Sequence, residues 1–272
     1  MAKRKLRRAS QYFSGIGNNY YQLLQRSFRR SPRLITMFLA ISVLMALLGL
    51  LIPPGSSQSG GIKQARVTEI LDGSQVFIQN QPVKLNAVAG KGQQVRTGKA
   101  RAELTFNTGA IGRLGQNSAL TVGNSCNQLQ QGSVLIEGAA NGCTKSLVAG
   151  VRGTVYVMEV DEAGEESITV CDGEVEIRQA DEPNKTWIVK PGERIGIGRD
   201  RKLKPIRRLA QQEYDQLLQG QLFRQYRREL RKTKEIRRYY LQLYKGATFP
   251  LDRKPVRPPV RPLQRPGTLV PR

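Results

Sequence analysis

The sequence predicts a mainly β domain, solenoid-like or sandwich-like, and three observations carry that reading. Between residues 62 and 200 short runs of apolar and β-branched residues recur, separated by Gly, Asn and Asp. No run of helical periodicity interrupts them. The same stretch is nearly neutral, with 15 basic and 16 acidic residues, although the whole chain carries a net charge of +23. An all-β domain therefore sits between two basic ends.

The elements follow in chain order. Residues 1–33 hold nine Lys/Arg and no acids. Tyr12, Phe13, Tyr20, Tyr21, Leu23, Leu24 and Phe28 are interleaved with them, as in an interfacial amphipathic helix on anionic lipid or a partner-docking segment. Residues 34–52 (LITMFLAISVLMALLGLLI) carry no charge. As a helix they reach about 28 Å, close to the roughly 30 Å of a bilayer core, and Pro53 and Pro54 stop them. With every flanking cation before this run, the positive-inside rule puts the N-terminus in the cytoplasm and everything after Pro53 outside the cytoplasmic membrane. A cleaved signal peptide is the alternative; the long basic segment and the absence of an A-x-A site argue for a retained single-pass anchor. Residues 53–61 read as a flexible linker.

Strand-like runs then fall at 65–70, 75–78, 100–106, 119–122, 133–136, 154–160, 167–170, 175–177, 187–189 and 194–197. Leu71-Asp72-Gly73-Ser74 reads as a hairpin turn between the first two, and Cys171-Asp172-Gly173-Glu174 as another turn. In 154–160, Val155 and Val157 point to one face and Tyr156 and Met158 to the other, so this strand is expected to be buried on both sides.

Residues 201–246 form a basic helical region. Tyr214, Leu217, Leu218, Leu222, Tyr226 and Leu230, then Ile236, Tyr240, Leu243 and Tyr244, recur at three- and four-residue spacing from about 209 to 244, predicting one amphipathic helix whose apolar stripe packs on the β domain or another helix. Arg227, Arg228, Arg231, Lys232, Lys234, Arg237 and Arg238 form its basic face, which would be free to bind an anionic surface. Gly220 weakens the middle by about 1 kcal/mol relative to Ala. The Pro- and Arg-rich residues 247–272 cannot bury a core and read as a disordered or polyproline-like tail.

The chemistry-bearing residues are few. The chain has no histidine, which removes the commonest general base and metal ligand. It shows no nucleophile elbow, phosphate-cradling loop or metal set, so no enzyme activity, metal or cofactor is expected. In an oxidising compartment Cys126 and Cys143, each beside a turn, would pair and close a loop, contributing roughly 3 kcal/mol; Cys171 is left over. Gly150 and Gly153 flank Val151-Arg152 ahead of Thr154. Arg152 there would either bond turn carbonyls or hold an anionic ligand.

Several ordered stretches carry a resemblance: Val95-Arg96-Thr97-Gly98, Ala100-Arg101-Ala102-Glu103-Leu104, GAIGRLG at 109–115, LQQGSVLI at 129–136, VRGTVYVMEV at 151–160, CDGEVEI at 171–177 and KPGERI at 190–195. Residues 83–197 resemble the FecR domain, the extracytoplasmic signalling region of bacterial iron-citrate-type regulators. The resemblance implies a β-solenoid-like fold and a motif core at Gly150, Arg152, Gly153 and Thr154. It also implies signalling between the envelope and a cytoplasmic sigma factor. The 33 residues before the apolar run are too short for the family's helical sigma-binding domain, so two functions stand as expectations. One is a membrane-anchored envelope protein that binds or senses an envelope protein or anionic polymer; the other is a transducer that regulates a sigma factor. Nucleic acid is not expected as a partner outside the membrane.

Overall fold

The computed structural model describes residues 61–123 and 125–252. The basic segment 1–33, the apolar run 34–52, most of the linker and the tail after Asp252 lie outside the described residues. Among the described residues no helix is long and apolar enough to cross a membrane.

The chain winds back and forth between two antiparallel sheets. The front sheet holds, in spatial order, β4 (Val88–Gly90), β1 (Gln64–Leu71), β6 (Arg101–Phe106), β7 (Ile111–Leu114), the second half of β9 (Asn127–Gly138), β12 (Thr154–Val160), β13 (Glu166–Asp172), β16 (Glu193–Ile197) and β17 (Leu203–Arg208). The back sheet holds β3 (Gln81–Pro82), β2 (Val76–Ile78), β5 (Gln94–Thr97), β8 (Ala119–Thr121), the first half of β9, β10 (Gly142–Cys143), β11 (Leu147–Val151), β14 (Val175–Gln179) and β15 (Thr186–Val189). Among the described strands, only the short β9–β10 pair is parallel. The result is a sandwich laid down by solenoid-like winding, and it extends past residue 200 to β17.

Strand β9 passes from one sheet to the other. Its pairing with β8 shifts register, and Gly132 sits at φ +83° where the strand changes sheets. A Cβ there would lie 2.3 Å from the Ser118 hydroxyl, so the crossing requires glycine. The expected hairpin at 71–74 is instead a corner: β1 pairs in the front sheet and β2 in the back one, so the turn links layers. The turn at 171–174 likewise carries the chain from β13 in front to β14 behind. A tight turn reads the same in sequence whether it closes a ladder or rounds an edge.

Side chains from both sheets meet in one core, with Val67, Leu104, Ile136, Tyr156, Met158, Ile168 and Val170 from the front facing Val76, Leu120, Leu129, Leu147 and Ile177 from the back. A second core lies on the outer side of the front sheet. There Leu135, Val155, Val157 and Cys171 pack against Tyr214, Leu218, Leu222, Ile236, Tyr240 and Phe249. Strand β12 is thus buried on both sides, as its alternation predicts.

The C-terminal segment is not one helix. It forms α1 (Gln211–Gln219) and α2 (Thr233–Leu243), with irregular chain at 220–232. Gly220 ends α1 in extended conformation, and Gln225 adopts φ +71°. The predicted stripe still faces the sheet: Leu222 and Leu230 are buried, but from irregular backbone. Front-sheet side chains take the backbone groups that a helix would have paired internally.

Candidate functional site

Cross-strand register aligns the outward side chains of the front sheet in rows. One row runs Glu69, Glu103, Arg113, Leu135, Val157, Thr169, Arg194. The next runs Thr105, Ile111, Glu137, Val155, Asp172. The β1–β7 end of this face is charged and its β12–β13 end apolar. Residues 209–252 cover both, as a strap.

Over the charged end, sheet and strap exchange hydrogen bonds. Glu69 accepts from the Arg227 backbone N–H (3.2 Å), and Glu137 accepts from that of Lys232 (2.9 Å). Arg113, 1% exposed, donates to the carbonyls of Leu222 (3.3 Å) and Arg228 and to Glu103 (3.1 Å). Arg101 bonds Asp72, the carbonyls of Gln221 and Arg224, and the Gln225 amide (2.6 Å). Carboxylates thus take the strap's N–H groups and guanidinium groups take its carbonyls. Such pairing is what a buried irregular backbone requires. Tyr226 lies beside both guanidinium groups, 4.0 Å from Arg113 and 5.4 Å from Arg101 measured to the ring centre. Burial pushes its hydroxyl up to about 12, against the pull of the two arginines.

The predicted basic face divides between inward and outward duty. Arg228 bonds Glu103 (2.7 Å), Lys232 stands 3.6 Å from Asp172, and Arg231 reaches the Gly109 carbonyl (2.7 Å) with Glu137 3.6 Å away. Arg237 pairs with Asp252 at 2.9 Å. Burial raises the Asp172 carboxyl, with Lys232 opposing the shift. Arg227 (3.9 Å from Glu69, its side chain 93% exposed), Lys234 and Arg238 present their charge to solvent. The basic face is therefore only partly free. Neither the acids that occupy the rest, Glu103, Glu137, Asp172 and Asp252, nor the residues that bond the strap's backbone, Glu69 and Arg113, stand out in the sequence as its partners. Their one signal is the polar alternation of Arg101, Glu103 and Thr105 in β6, which reads equally well as a solvent-facing side.

The structure joins Cys126 to Cys143 in a disulfide with Cα atoms 5.7 Å apart, and leaves Cys171 free and buried. Burial pushes the Cys171 thiol up to about 12, the Tyr214 hydrogen bond opposing it. Gly150 lies in β11, and Gly153, at φ +68°, turns the chain from the back sheet into β12. Thr154 is buried, its hydroxyl without a partner among the described residues. Arg152 is exposed and bonds no described carbonyl or carboxylate, so it does not lock the turn. Beyond the strap, a groove of about 710 Å³ lies on the same outer face, with Ser133, Glu159, Arg194 and Lys204 among its lining residues. Its basic side chains are paired, Arg194 with Glu159 at 3.1 Å, Lys204 with Glu165 at 2.9 Å and Arg207 with Glu213 at 2.6 Å. Among the described residues no group of three or more His, Cys, Asp or Glu is placed to hold a metal ion.

Comparison with known proteins gives three findings. No curated relative matches the chain. Two crystal structures of a protein described as a candidate anti-sigma factor from Parabacteroides distasonis ATCC 8503 are similar over 47% of this chain, at 13% and 14% identity and TM-scores of 0.39 and 0.38. The chain spans 65% and 64% of the length of those two chains. The family model for the FecR protein matches residues 93–176, from the start of β5 into β14, and takes in the β9 crossing, the disulfide and the turn at Gly153. That stretch of the chain is a FecR domain.

Proposed function

We propose that this chain is an exported, membrane-anchored protein of the cell envelope that uses its FecR domain to bind or sense a partner, without turning over a substrate. Residues 34–52 hold it in the cytoplasmic membrane, 1–33 face the cytoplasm, and the β domain and strap lie outside. The observation that carries this reading is the Cys126–Cys143 disulfide, because such bonds persist in oxidising compartments and are rare where thiols are kept reduced. Thiol counting in the cell tests it. Alkylation of the denatured full chain should label Cys171 alone, and prior reduction should expose Cys126 and Cys143. A chain lacking 34–52 should stay in the cytoplasm with all three thiols reactive. Three reactive thiols in the full-length protein would overturn export.

Control of a sigma factor is the second reading, favoured by the FecR match itself. It requires residues 1–33 to act in the cytoplasm. Deleting residues 3–30 while keeping the span and Arg33 should then abolish transcription of a target gene without changing the level of the protein. Unchanged transcription leaves the binding reading alone.

A further inference from the structure

We infer that the end of the domain where β1 begins is a contact surface for anionic phospholipid headgroups; this rests on the anchored reading above. The chain enters the domain at Gly61. Asn107, in the turn between β6 and β7, holds that entry: it accepts from the backbone N–H groups of Lys63 (2.8 Å) and Gln64 (3.3 Å) and donates to the Gly61 carbonyl (3.5 Å). The same turn receives Arg231, which donates to the Gly109 carbonyl.

Register extends this end across the front sheet. Ala110 abuts Gly138, Gly138 pairs with Thr154, and Val155 pairs with Asp172. Arg152 sits in the turn just before Thr154. Lys232 stands 3.6 Å from Asp172 at the start of α2, and Glu235 and Arg238 act on that carboxyl in opposite directions. Lys234 and Arg238 stand four residues apart on α2, so they share a face, and the buried Ile236 and Tyr240 define the opposite one. The buried acids of this end, Glu137 and Asp172, already face Arg231 and Lys232. Lys63, Arg152, Lys234 and Arg238 are exposed there without an ion-pair partner among the described residues, against exposed Glu174 and Glu229 and half-buried Glu235. The far end differs: at the β16–β17 turn Arg199 and Lys204 are matched by Glu165, and Lys202 lies near Asp200.

Lipid is favoured over a soluble polymer by the position of the entry point. A linker of nine residues (53–61) spans at most about 30 Å, and about 17 Å on average if flexible. The cations lie at the end of the domain where the linker joins it. Leu222, Leu230, Ile236 and Tyr240 are buried, so the strap presents its charges from a fixed frame.

The test uses Ser59–Arg272, a compact unit that contains both cores and lacks the anchor. It should sediment with vesicles of phosphatidylcholine and about 30 mol% phosphatidylglycerol, and rising salt should release it. Replacing Arg152, Lys234 and Arg238 by Gln together should weaken partitioning on the order of 100-fold, at about fivefold per cation. Replacing Arg199, Arg201 and Lys202 by Gln should leave it within about twofold, because the β16–β17 turn lies at the opposite end of the front sheet. Equal losses in the two triple variants, undiminished binding to neutral vesicles, or capture by heparin without vesicle binding would each overturn the assignment. Failure of the anchored reading would appear separately, in the thiol count of the full chain.

Discussion

The two halves of the front sheet's outer face are covered by the same strap in different ways. Over β12 and β13 the face is apolar, and α1 and α2 lie on it as regular helices that satisfy their own backbones. Over β1, β6 and β7 the face is charged, and the strap above it has no helix. There Glu69, Glu137, Arg101 and Arg113 bond the strap's backbone directly. An apolar surface constrains only which side chains point down; a charged surface also competes for the N–H and C=O groups, and at 220–232 it wins.

Arg113 offers the largest test of that difference. Arg113→Met should cost about 3–5 kcal/mol, since it leaves Glu103 buried with Arg228 as its remaining charged partner. Replacing both members of an ordinary buried ion pair by apolar residues often restores stability. Here Glu103→Leu should not rescue Arg113→Met, because the Leu222 and Arg228 carbonyls would still lack their donor. Urea unfolding of both variants decides it, and full recovery in the double variant would mean the strap's carbonyls find other partners. On the apolar half, Leu218→Ala should cost roughly 2–5 kcal/mol by leaving a cavity. That loss should be insensitive to salt and to any change at Arg113. Coupling between the two sites above about 0.5 kcal/mol would show that the halves act as one unit.

The same contrast explains what could be read from the sequence. Period-two alternation revealed that Val155 and Val157 face away from Tyr156 and Met158, and both sides proved to be core. The disulfide was legible from two cysteines beside turns bracketing one strand. The spacing of Leu222, Tyr226 and Leu230 correctly marked an inward stripe but implied a helix that does not form. Periodicity reports which residues are buried; it says nothing of a competing set of donors and acceptors 95 to 158 residues away in sequence. Glu103 and Arg113 could not be recognised as buried, because a strand that alternates charge with Ala or Leu ordinarily faces water. The short strands β3, β7 and β10 carry too few residues for any period to register.

The smallest expected effect comes from the hinge between sheet and strap, where β17 gives way to α1. Glu213 bonds back to the Ala210 N–H at 2.9 Å and forks onto Arg207, and these contacts hold its carboxyl down to about 2. A carboxyl with a depressed folded-state pKa stabilises the fold fully above its unfolded value of 4.5, and that contribution is lost as pH falls toward 2. The pair is well exposed, so solvent screening should keep its contribution below about 1 kcal/mol. Asp172, under the strap, runs the other way: its raised carboxyl favours the fold increasingly as pH falls toward the unfolded value of 3.8. As pH falls through 4.5 toward 3.8, Glu213→Gln should flatten the acid loss of stability, and Asp172→Asn should steepen it. Opposite slopes in urea midpoints would separate a bond at the edge of the strap from a charge buried beneath it. Equal slopes would mean that neither group titrates apart from the rest of the fold.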